Sequence, residues 1–137
     1  MNANLALWAP RVLSILRIVA AFIFLLHGTQ KLFAFPGPPA GGNLPPLLSQ
    51  YGIGAVIELV GGLLLLLGVF TRPVAFLLAG EMAVAYWQFH FPRNLWPTLN
   101  GGDAAILYCF VFFYIVFAGP GPWSVDAARD PAATDRL

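Results

Sequence analysis

The chain has 137 residues, of which 59% are hydrophobic and only 9% charged, with a net charge of +1 and a mean hydropathy of +0.77. The length fits one domain. The apolar content excludes a disordered chain and leaves too little charge to cover a soluble surface, and the small net charge excludes an electrostatic nucleic-acid binder. These limits predict an all-α polytopic membrane protein, a bundle of four transmembrane helices in one domain over residues 1–137.

The first apolar run covers about residues 12–35. Arg11 and Arg17 at its start would suit a signal peptide, but no small-x-small cleavage site follows. The run continues through His27-Gly28-Thr29-Gln30-Lys31 to Phe35, so a retained helix is expected. The connection from Phe35 to Gly52 is rich in Pro and Gly and reads as an extended loop, with a short interfacial helix from Pro45 to Tyr51. A second run covers residues 53–70, and the tight turn Thr71-Arg72-Pro73 leads into a third over 74–91. Pro92 to Leu99 forms the next loop. The fourth run, 104–118, is closed by Gly119-Pro120-Gly121-Pro122, and residues 120–137 form a short polar tail. Each run approaches the length needed to cross a bilayer. Backbone groups in lipid must be satisfied within the segment, so the runs are helices, and none shows the alternation of barrel strands.

An even number of spans puts both termini on one side. That side holds Arg11, Arg17, Arg72, Arg129 and Arg136, against Lys31 and Arg93 on the other, which predicts cytoplasmic termini. Trp8, Tyr51, Trp96 and Trp123 fall where an aromatic belt would lie.

Charged groups inside a span are costly and usually find partners. At about 1.5 Å of rise per residue from the cytoplasmic flank, Arg17 lies at roughly 9 Å and Glu81 at roughly 13 Å, which predicts a structural ion pair between them. Glu58 lies at roughly 21 Å, His27 and Asp103 at roughly 24 Å and His90 at roughly 27 Å, with Lys31 slightly higher. His27, Lys31, Glu58, His90, Asn100 and Asp103 are therefore the candidate polar cluster or ligand site. Each has a structural reading beside the functional one. Lys31 can snorkel to the headgroups, Asn100 and Asp103 resemble a capping box, and His90 can be an interfacial residue without a task. Glu58 with His27 is the combination best suited to relay a proton or hold a polar head group.

Two histidines are a weak signal for haem or a metal, so no metal site is expected. Cys109 is the sole cysteine. The chain therefore has no C-x-x-C pair for thiol redox chemistry, and Cys109 reads as a small packing residue. Gly54, Gly61, Gly62 and Gly68, with Ala79, Gly80 and Ala83, would let helices two and three approach closely. Phe110, Phe112, Phe113 and Phe117 would face lipid or pack.

Five segments occur in order: Arg17 with His27-Gly28-x-x-Lys31-Leu32-Phe33; Glu58-x-x-Gly61-Gly62 with Gly68-x-x-Thr71-Arg72; Gly80-Glu81-Met82-Ala83-x-Ala85-Tyr86 with His90; Asn100-Gly101-Gly102-Asp103-x-Ala105; and Gly119-Pro120-Gly121-x-Trp123-Ser124-x-Asp126. Together they resemble the DoxX family of bacterial membrane proteins over nearly the whole chain. Asp103 departs from the family, which more often has Glu after Asn-Gly-Gly. The resemblance implies a multi-pass protein of the bacterial inner membrane. It also implies an oxidoreductase-associated role, as a membrane subunit of a quinone- or sulfur-linked system whose electrons come from a partner protein. It carries no agreed catalytic residues. The expected partners are the lipid bilayer, redox proteins or further copies of the chain, and the candidate ligand is a quinone. A small proton-coupled transporter and a non-catalytic scaffold or assembly factor are the alternatives.

Overall fold

Helix α1 (Ala3–Phe33) starts well before the predicted residue 12 and passes through Pro10. The computed structural model describes residues 3–130, and all regular structure among them is helical. Arg136 and the last part of the tail lie outside the described residues.

Helix α2 (Gln50–Leu67) begins where Ser49 caps it, its hydroxyl accepting from the Gly52 N–H at 3.1 Å. The predicted interfacial helix at 45–51 is instead a turn, closed by the Ser49 N–H on Pro46 O at 2.9 Å, that leads straight into α2. At the far end Gly68 takes a left-handed conformation (φ 68°), and the Gly68 and Val69 N–H groups fold back on Leu65 O and Leu64 O.

Helix α3 (Thr71–Ala85) follows almost at once. It continues as a π turn over Tyr86–His90, with the Phe91 N–H on Tyr86 O, and then a 3-10 turn over Phe91–Arg93. A four-residue helix, α4 (Pro97–Asn100), precedes α5 (Asp103–Ala118), and α6 (Val125–Arg129) closes the described chain.

Helices α1 and α2 lie close because glycines face the contact. A methyl group on Gly28 would sit 2.6 Å from Leu59 N, and one on Gly62 would sit 3.1 Å from Leu25 Cα. Helices α3 and α5 form the second pair. Between the pairs lies an apolar core that includes Phe24, Leu65, Leu78, Met82, Phe112 and Ile115. The outward faces carry exposed large side chains such as Phe76, Leu107, Phe110 and Phe117. So much exposed apolar surface suits a lipid surround and not water. The stretches Leu5–Phe33 and Gln50–Leu67 are each long and apolar enough to cross a membrane, and α5 is a shorter apolar helix.

The end of the bundle at the α2–α3 turn is closed by residues from the supposed tail. The Asp126 carboxylate accepts from Phe70 N at 3.0 Å and Thr71 N at 2.8 Å, satisfying free donors at the start of α3. The Asp126 N–H donates to Gly68 O at 2.9 Å. Arg72 donates to Val116 O and Phe117 O, both at 2.6 Å, and so covers the last carbonyls of α5.

Here the predicted pairing of Arg17 with Glu81 is corrected. The Arg17 side chain is fully buried and spends its donors on four carbonyls. They are Leu65 O at 2.5 Å, Leu66 O at 2.7 Å, Pro120 O at 2.8 Å and Trp123 O at 2.5 Å. The flat, five-donor guanidinium suits such a convergence, and the carbonyls at the C-terminal end of α2 carry the negative end of its dipole.

Candidate functional site

A cavity of about 730 Å³ opens between the α1–α2 pair and the α3–α5 pair, toward the end of the bundle away from Arg17. Four of the residues predicted from sequence line it: His27 and Lys31 from α1, Glu58 from α2 and His90 from the π turn. The walls are largely apolar, with Phe24, Ile57, Phe76, Leu77 and Met82 among them.

Lys31 Nζ and Glu58 Oε1 form a salt bridge at 2.6 Å, with the Glu58 side chain 5% exposed. This is the only salt bridge among the described residues. Lys31 therefore turns inward onto a carboxylate and does not snorkel. A buried carboxylate requires such a partner. The other oxygen, Glu58 Oε2, is buried without any hydrogen-bond partner.

Glu81 joins this cavity, where the sequence reading had assigned it elsewhere. A methyl group on Gly54 would lie 3.2 Å from Glu81 Oε1, so the carboxyl rests against α2 one turn from Glu58. Glu81 Oε2 is also buried and unpartnered. The depth estimate failed for a geometric reason. It counted the residues of the α2–α3 turn as rise along the helix axis, but those residues reverse the chain. Glu58 and Glu81 stand equally far from the middle of that turn, hence at one level.

The His27 ring stands nearly perpendicular to that of Tyr108, with centroids 6.1 Å apart. His90 stacks on Tyr86 and its Nδ1 lies 3.2 Å from Asn100 O. A carbonyl only accepts, so Nδ1 carries the proton and Nε2 is left for another partner. Gln50, Tyr51, Arg93 and Tyr108 complete the polar lining, and none was singled out as a ligand residue from sequence. Arg93 is carried there by the π and 3-10 turns that continue α3, a feature that hydrophobic periodicity does not reveal.

Asn100 and Asp103 do not line the cavity. Asn100 is buried and ties the preceding loop together, donating to Asn94 O at 2.8 Å and accepting from Gly102 N at 2.7 Å. Its backbone oxygen is what holds His90, so its influence on the cavity is indirect. The predicted capping box is not formed. Gly102 takes the N-cap position of α5, and the exposed Asp103 accepts only from the Ala104 N–H at 3.0 Å, where its charge favours the helix start.

A family model for DoxX matches residues 12–91. The chain belongs to the DoxX family. It is similar to a Haemophilus influenzae protein described as uncharacterized, 45% identical over 90% of this chain and 94% of that one. It also resembles an uncharacterized membrane protein of Mycobacterium tuberculosis, 26% identical over 91% of this chain and 85% of the other. A third relative is the inner membrane protein YphA of Escherichia coli, 28% identical over 85% of this chain and 89% of that protein. No solved structure matches. The DoxX cavity thus draws on α1, α2 and α3, which the family match spans, and also on α5, which lies beyond it.

Proposed function

We propose that this DoxX protein crosses the membrane four times with both termini in the cytoplasm. In this reading it serves as the membrane subunit of a redox system by binding the head of a quinone between its helix pairs. The observation that carries the proposal is the join of an apolar cavity to a polar floor, where the Lys31–Glu58 pair leaves Glu58 Oε2 buried and free.

The residues suit such a head. Lys31 and the His27 ring supply donors for a carbonyl oxygen, while Glu58 Oε2 and Glu81 Oε2 are acceptors for a hydroxyl. The aromatic and aliphatic walls suit a flat ring. A bound quinone would supply the capacity to take up electrons and protons. The protein's part is to place the ring, to exclude water from it and to hold a proton at the Glu58 or His27 side chain. The electrons come from a partner protein.

The test is native mass spectrometry of protein extracted gently from its own membrane, followed by quinone titration of the Glu58→Gln variant in nanodiscs. A co-purifying quinone, and weaker binding on substitution, are expected. Binding unchanged by Glu58→Gln would refute the proposal. A proton-coupled transporter is the second reading, favoured by two buried unpaired carboxylate oxygens on different helices. Uptake into proteoliposomes that ignores a pH gradient would refute it.

A further inference from the structure

The cavity wall and the outer surface share residues. Ile53, Phe76, Leu77 and Val84 line the cavity, yet each is also exposed on the outside of the bundle. They belong to α2 and α3, the two helices joined by the turn at the Arg17 end. Two glycines stand in the same wall, Gly54 on α2 and Gly80 on α3. A methyl group on Gly80 would meet nothing within 4 Å. The space beside Gly80 is therefore open, while the Glu81 carboxyl, 3.2 Å from where a Gly54 methyl would sit, forms the inner edge of the gap against α2. Behind the gap lies Glu58, a cavity-lining residue 4% exposed, with one carboxylate oxygen buried and without a hydrogen-bond partner.

We propose that the gap between α2 and α3 at Gly80 is a lateral portal to the bilayer, through which a ligand with one long apolar tail seats its polar head beside Glu58 and leaves its tail in lipid. The geometry selects this class of ligand. An apolar threshold offers nothing to a hydrated solute, whereas a tail lying across Phe76 and Leu77 stays in hydrocarbon throughout. The polar floor then satisfies only the head. A two-tailed phospholipid would have to bring a second chain through an opening left by one missing side chain, that of Gly80, with the Glu81 carboxyl across its inner edge. Gly80 is accordingly a specificity residue, because its missing side chain sets the width of the passage. This deepens the quinone reading above and rests on it for the identity of the head.

Two experiments separate the portal from the quinone. In nanodiscs, Gly80→Leu should weaken binding of ubiquinone-8 by about tenfold or more while binding of a tailless dimethoxy-dimethyl-benzoquinone stays within about twofold. Equal loss for both ligands, or loss for neither, overturns the portal. If the unsubstituted protein binds no quinone at all, the quinone reading falls, and the second experiment decides the portal alone. In a Cys109→Ala background, Ile57→Cys places a thiol on the cavity wall. N-hexadecylmaleimide dissolved in the bilayer should label it, and Gly80→Leu should slow that labelling about tenfold. Labelling that Gly80→Leu leaves unchanged overturns the portal. So does an absence of labelling from the bilayer, which would mean that another surface, such as a second copy of the chain, covers the gap.

Discussion

Replacing Arg17 by Met should destabilise the protein more than any single surface change, and the reason lies in backbone and not in an ion pair. The substitution leaves the carbonyls of Leu66, Pro120 and Trp123 without their donor, while Leu65 O keeps the Gly68 N–H at 3.2 Å. Three orphaned carbonyls at about 1–3 kcal/mol each, reduced by water reaching them at the bundle end, give a loss of about 3–5 kcal/mol. Arg17→Lys keeps the charge but cannot span acceptors on two separate segments, so a loss of about 2 kcal/mol is expected. Unfolding in detergent can be followed through the reactivity of Cys109, which is half-buried and the sole cysteine. A double-mutant cycle with Glu81→Gln completes the test, because residues without shared partners add to within about 0.5 kcal/mol. A coupling above about 1 kcal/mol, or an Arg17→Met protein as stable as its parent, would refute the assignment.

Three further outcomes are expected. Lys31→Met leaves the Glu58 carboxylate buried without its cation and should cost about 3–5 kcal/mol, and adding Glu58→Gln should restore a good part of it in the same unfolding assay. Gly28→Ala forces a methyl against Leu59 N and should cost about 1–3 kcal/mol, whereas Gly80→Ala enters open space and should leave the melting temperature unchanged. For Asp126, burial pushes the carboxyl up, but the Thr71 and Phe70 N–H groups and the Arg129 charge outweigh it and hold it below its ordinary value. Its stabilisation is therefore complete above the ordinary carboxylate range and is lost as pH falls through the lowered folded value. Asp126→Asn should cost about 1 kcal/mol at neutral pH and should flatten the loss of stability seen in acid unfolding below about pH 4.

Helix positions were legible because each long apolar run is bounded by Pro and Gly, whose backbone limits act locally. Helix ends were less so. The start of α1 was obscured by Arg11 and Pro10, residues that mark a boundary only if the preceding turns do not form. Within the site, His27, Lys31 and His90 were found because depth along a helix can be counted. Glu81 was set apart from them because the depth of Glu58 was counted from Arg72 back across the turn, which placed Glu58 too far out. Asn100 and Asp103 sit at a matching level, but level does not give direction around the helix axis, and theirs leads away from the cavity. Arg17 was identified as buried and needing partners. That those partners would be carbonyls from two distant segments is a tertiary fact which no spacing contains.

The Arg17 site also bears on how the protein is made. Two of its four acceptors, Pro120 and Trp123, come 103 and 106 residues later in the chain. While the first helices are already in the translocon, Arg17 holds at best the two carbonyls of α2, and its other donors wait for segments still unsynthesised. A nascent chain that stalls before residue 120 therefore keeps an incompletely hydrogen-bonded arginine among apolar helices.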